Sequence, residues 1–92
     1  MNRYLTHGVN ANIPLAVQLS LWQLYDSIPR GQRDWLQIFQ ITPEEDHLKI
    51  LHEQEVPEYK RVHRICGVPS FSAKVYIIED DDHVTMLLAD EY

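Results

Sequence analysis

Cys66 follows His63 by three residues in the run His63-Arg64-Ile65-Cys66-Gly67, and a thiolate beside an imidazole is the pair that cysteine nucleophiles use. In an extended segment, however, positions 63 and 66 point to opposite faces, and no orienting Asn or Asp and no oxyanion-hole glycine pattern accompanies them. A half-buried structural thiol is the better reading. The five histidines, His7, His47, His52, His63 and His83, invite a zinc reading because zinc takes imidazole and carboxylate ligands, but their spacing matches no metal motif. A cross-strand pair of His52 and His63, with Glu53 or Glu55 nearby, is the one geometry that could ligate.

Asp80-Asp81-Asp82 clusters the oxygens that hard cations prefer, yet it lacks the alternating spacing and central glycine of a calcium loop. It reads as a solvated hairpin turn. Tyr59, Lys60, Arg61, His63 and Arg64 combine an aromatic with cations, the ingredients of a single-strand nucleic-acid platform. Alternation divides them: Lys60 and Arg64 share one strand face with Val62, and Arg61 and His63 share the other. Glu53 and Glu55 on a partner strand would pair with Lys60 and Arg64. Gly8, Gly31 and Gly67 stand too far apart to form a phosphate-binding loop. The expectation is therefore no catalytic residue, no metal and no cofactor.

The elements that would carry these residues can be read from pattern. Arg3 to Val9 suggests a short strand, and Pro14 to Ser27 a helix that stops near Ile28-Pro29. Trp35 to Ile41 is β-branched and aromatic enough for a well-buried strand, ended by Thr42-Pro43. His47 to Glu55 and Tyr59 to Cys66 flank a turn at Val56-Pro57-Glu58. Setting Glu55 opposite Lys60 places Ile50 against Ile65 and His52 against His63. Ser72 to Glu79 and His83 to Ala89 form a second hairpin. The predicted fold is α+β, one amphipathic helix on a mainly antiparallel sheet in the order β-α-β-β-β-β-β, as a single domain over residues 1–92.

On the helix, Leu15, Val17, Leu19, Leu21, Trp22, Leu24, Tyr25 and Ile28 sweep an arc of roughly 220°, whereas one core needs only a little over 100°. Either the chain's own loops or a second chain must cover the remainder. A chain of 92 residues with 45% hydrophobic and 24% charged residues buries enough to fold as one domain. One cysteine cannot close an internal disulfide, and no apolar run approaches the roughly 18 residues of a membrane span, so a cytoplasmic protein is expected. Of the net charge of −6, residues 1–43 carry +1 (Arg3, Arg30 and Arg33 against Asp26 and Asp34) and residues 44–92 carry −7, an average field that repels phosphates.

The runs RYLTHGV (Arg3 to Val9), Ile13-Pro14 and QLSLWQL (Gln18 to Leu24), with DWLQIFQI, HEQEVPEYK and VTMLLADEY, resemble a family of small Gram-positive bacterial proteins, domain of unknown function 960. The resemblance spans nearly the whole chain and implies a cytoplasmic, stand-alone α+β domain of bacterial origin. It brings no catalytic or ligand residue. Function must then come from physics: the expectation is a non-enzymatic interaction module or homodimer, using apolar surface around Trp22, Tyr25 and Trp35, with itself or another protein as partner. The alternative is a nucleic-acid-associated protein using Tyr59, Lys60, Arg61 and Arg64, or an acidic nucleic-acid mimic using the Asp80 hairpin and the Asp90-Glu91-Tyr92 tail. Contact with a membrane is not expected.

Overall fold

The computed structural model describes residues 1–92. Strand β1 (Asn2–Leu5) leads into helices α1 (His7–Asn12) and α2 (Leu15–Ser27), then a 3-10 turn (Arg30–Gln32). Strands β2 (Leu36–Glu44), β3 (His47–Gln54), β4 (Tyr59–Cys66), β5 (Ala73–Glu79) and β6 (His83–Leu88) follow, and a 3-10 turn (Ala89–Glu91) ends the chain. The six strands make one sheet in the order β1-β6-β5-β2-β3-β4, antiparallel throughout except for β1 beside β6. The α+β class stands, with a second short helix that periodicity did not show. No helix is long and apolar enough to cross a membrane.

The segment expected as one strand from Arg3 to Val9 breaks at Thr6, whose hydroxyl accepts from Val9 N at 3.3 Å and caps α1. Glu91 locks this junction to the far end of the chain. Its carboxylate accepts from Thr6 Oγ1 at 2.6 Å and from Leu88 N at 2.8 Å, and these donors hold its pKa below the ordinary carboxylate value. A Cβ on Gly8 would come within 2.5 Å of that carboxylate, so a side chain there would push Glu91 off its partners.

Strand β2 runs on through Thr42-Pro43, where it was expected to end. Its pairing with β5 stops at Ile41 opposite Ala73, so Pro43 lies where β2 is a sheet edge on that side, a place that tolerates proline. In the β3–β4 hairpin, Glu53 rather than Glu55 faces Lys60, Ile50 faces His63, and His52 faces Arg61. This shift of two residues keeps every side chain on its expected face, because pattern fixes parity and the loop fixes register. The loop is the four residues Glu55 to Glu58, tied down by Gln54 Nε2 donating to Pro57 O at 2.8 Å.

The core lies between one sheet face and the helices. Val9, Ile13, Val17, Leu21 and Tyr25 pack on Phe39, Ile41, Leu48, Ile50, Val75, Ile77, Val84 and Met86. Each such side chain contributes about 1.5–3 kcal/mol of burial.

Candidate functional site

In each strand the alternate residues form a second face, on which no helix packs. The register lays Leu36 beside Ile78, Ile38 beside Tyr76, Tyr76 beside Leu87, and Leu51 beside Val62, with Tyr4 beside Thr85 at the parallel edge. An antiparallel sheet with one solvated face should be polar there. Here it carries apolar residues on its central strands: Leu36, Ile38, Leu51, Tyr76 and Ile78 are half-buried, while Val62 and Tyr4 are 43% and 53% exposed. Tyr92 leans edge-on against Tyr76, with ring centroids 5.9 Å apart.

Four of the eight basic residues, Lys49, Lys60, Arg64 and Lys74, share this face with the acidic pair Glu44 and Glu53. Most other acids sit in turns at strand ends: Glu45-Asp46, Glu55 and Glu58, Asp80 to Asp82, and Asp90-Glu91. The face is thus locally basic on an acidic protein. Arg64 pairs with Glu44 at 3.4 Å, not with the expected Glu53 or Glu55, and Lys60 forms no ion pair although Glu53 lies opposite in register. Glu44 also accepts from His47 Nε2 at 2.8 Å; that contact and Arg64 hold its carboxyl below the ordinary range, while Asp46 and Glu44 raise the pKa of His47. Cys66 is exposed on this face opposite His47, so the half-buried thiol expected from sequence is corrected, and His63 points the other way.

The residues singled out for an interface fare differently. Tyr25 is 1% exposed, a core residue whose hydroxyl donates to Glu79 Oε2 at 3.3 Å, so it cannot contact a partner in this fold. Burial pushes its pKa up. Trp22 is half-buried, edge-on to Tyr25 and 4.8 Å below the Arg3 guanidinium. Trp35 is 51% exposed at the entry to β2. The broad arc of α2 is met mostly from within, leaving Leu15 and Leu19, 67% and 55% exposed, as its open stripe. The nucleic-acid set divides as alternation required: Lys60 and Arg64 lie on the open face, Tyr59 and Arg61 on the helix side, where Tyr59 packs edge-on to His52.

His52 and His63 are diagonal neighbours, not a facing pair. His52 is fully buried, stacked on Phe39 at 4.3 Å, and its Nε2–H donates to Gln37 Oε1 at 2.8 Å. Burial lowers its pKa to about 4, with nearby His63 adding to the effect. Gln37 Nε2 passes the chain to Gln54 Oε1 at 2.7 Å, which also accepts from Asp34 N at 2.9 Å. This amide relay had no sequence signal, since glutamines in strands read as surface. No group of three or more His, Cys, Asp or Glu side chains converges as a metal centre would. At the Asp80 turn, His83 pairs with Asp82 at 2.9 Å and Asp80 at 3.3 Å, which raises its pKa.

A six-stranded sheet with helices on one face and an apolar, lysine-framed second face defines a two-layer α+β domain. The chain belongs to the family described as Staphylococcal protein of unknown function (DUF960), which it matches over residues 2–91. A solved structure described as a protein of unknown function from Enterococcus faecalis is similar in fold, with a TM-score of 0.78 at 22% identity, covering 99% of this chain and 90% of that one. No functionally curated protein matches.

Proposed function

We propose that this chain is a non-enzymatic interaction module whose contact surface is the open sheet face, and that it docks an acidic protein partner there. The carrying observation is apolar area on a face without a helix: a cluster of Leu36, Ile38, Tyr76 and Ile78 with the pair Leu51 and Val62 diagonal to Ile38, Gln40 and Glu53 standing between them in register. Such patches, apolar at the centre and polar at the rim, are the composition of protein interfaces. Charge selects the partner. Lys49, Lys60, Arg64 and Lys74 outnumber Glu44 and Glu53, so two copies would meet like charge with like, whereas an acidic surface is complementary.

A photo-crosslinking residue at Val62 tests this in the native cell, with Gln23 on the exposed side of α2 as control. The expected product is a discrete, protease-sensitive adduct with another protein at position 62, absent at 23 and lost on Ile38→Glu. An adduct of twice the chain mass would substitute a second copy for the partner. Equal labelling at both positions, or none, would remove the surface from consideration. The second reading, a nucleic-acid platform, draws on the same four cations and on Lys74 Nζ 5.9 Å from the Tyr76 ring centroid. It predicts a nuclease-sensitive adduct and oligonucleotide affinity that falls with salt, by a log–log slope of about 0.7 per phosphate contact.

A further inference from the structure

Strand β4 ends the sheet. Its one neighbour is β3, and no backbone hydrogen bond outside the sheet involves residues 59–66, so the N–H and C=O groups of alternate residues face outward along its eight residues. An open edge of this length is a template for another strand. The opposite edge differs: β1 has only four residues, and Arg3 within it is tied to Asp26.

The side chains of β4 select the strand that fits. Lys60, Val62 and Arg64 stand on the open face, and Arg61, His63 and Ile65 on the helix side, with no carboxylate between Tyr59 and Cys66. Lys60 and Arg61 form no ion pair, and Arg64 has only Glu44, at 3.4 Å. Arg61 is exposed, with its guanidinium 5.7 Å from the Tyr59 ring centroid. Glu53, opposite Lys60 on β3, offsets one of these charges and leaves the edge positive. The cations oppose a second copy of the chain, because in the central antiparallel registers of two β4 strands Arg64 meets Arg61 or Lys60. They favour an acidic strand for the same reason.

We propose that β4 takes up an extended acidic segment of a partner protein as a seventh strand of the sheet. The inference rests on the reading of an acidic protein partner, and it names the segment by which that partner is held. Main-chain hydrogen bonds supply the affinity, and side chains set the order. Opposite Ile65, Arg64, His63, Val62, Arg61 and Lys60, an incoming antiparallel strand runs apolar, acidic, acidic, apolar, acidic, acidic. Its carboxylates reach both faces, so Arg61 takes part although it lies off the open face.

The probe is a capped peptide as long as β4, Thr-Val-Glu-Glu-Val-Glu-Glu-Thr, with two isomers N-methylated on one or the other set of alternate amides. One isomer should bind as the parent does and the other should fail, because only one set of amides faces β4; attraction by charge alone treats the isomers equally. Bound peptide should slow amide exchange at alternate residues within 59–66. Arg61→Glu should raise Kd about tenfold, while Ile38→Glu, two strands away on the open face, should change it by less than about twofold. Equal binding by both isomers, protection away from β4, or an unchanged Kd in Arg61→Glu would each overturn the proposal. Failure of the peptide while the Val62 adduct still forms overturns the edge and leaves the open face standing; the reverse result supports the edge and removes the open face.

Discussion

The two faces of this sheet are made by neighbouring residues of the same strands, yet they obey different physics. On the helix side Phe39, Ile50 and Ile77 are fully buried, and the buried glutamines Gln37 and Gln54 are tied into a relay with His52. On the other side, Ile38, Leu51 and Ile78 stand one residue away, half-buried on the face that also carries Lys49, Lys60 and Lys74. Packing energy is concentrated on the first face. The second keeps apolar area that folding does not consume, and that area is available for association.

The largest expected effect follows from the adjacent pair Phe39 and Ile38. Phe39→Ala opens a cavity in the core and should cost about 3–5 kcal/mol by urea unfolding, whereas Ile38→Ala should cost about 1 kcal/mol. Equal losses would mean that the second face is as tightly packed as the first.

Next in size is the pH dependence of the covered face. The folded-state pKa of His52, about 4, lies below its unfolded value near 6.5, so the unfolded chain binds the proton first. Stability is therefore full above pH ~6.5 and falls by about 3 kcal/mol as pH drops toward 4. His47 and His83 have raised values and act oppositely: their contribution is present below their unfolded pKa and is lost as pH rises through the folded one. His52→Gln should flatten the acidic limb of a stability–pH curve, and an unchanged limb would assign acid sensitivity elsewhere.

How much of this was legible is itself explained by the two faces. Parity was readable, because Lys60, Val62 and Arg64 fall together whatever the register, and hairpins were readable from their turns. The β3–β4 register was not, since a shift of two residues leaves the pattern intact and what accompanies the observed one, the Glu55–Glu58 loop held by Gln54 at the end of β3, is a tertiary contact. Helix α1 was hidden by its length of six residues, too short for periodicity, and β1 beside β6 depends on contacts across the whole chain. The open face had a signal that the broad arc of α2 obscured. Leu36 and Ile38 alternate with Phe39 and Ile41, so this strand is apolar on both sides, while one main helix can cover only one.

A smaller effect isolates the relay that closes the covered face. Gln54→Leu keeps volume but removes the acceptor of Gln37 Nε2 and Asp34 N and the donor to Pro57 O, so it should cost about 1–3 kcal/mol and loosen the Glu55–Glu58 loop. Faster amide exchange at Val56, whose N–H donates to Asp34 Oδ2 at 3.1 Å, would report that loosening. Loss of stability without faster exchange at Val56 would make Gln54 a packing residue alone.

The smallest effect on folding belongs to the cations of the open face, and it separates stability from binding. Lys60 is exposed and forms no ion pair, so Lys60→Glu should move unfolding by no more than about 0.5 kcal/mol. The same change reverses a charge where the proposed acidic partner would approach. Rim charges act mainly on association rate, so capture of the proposed partner should slow and its salt dependence should weaken while the folded protein is untouched. If Lys60→Glu instead destabilised the fold by more than about 1 kcal/mol, Lys60 would belong to the hairpin, as its register opposite Glu53 allows, and the basic frame would lose a member.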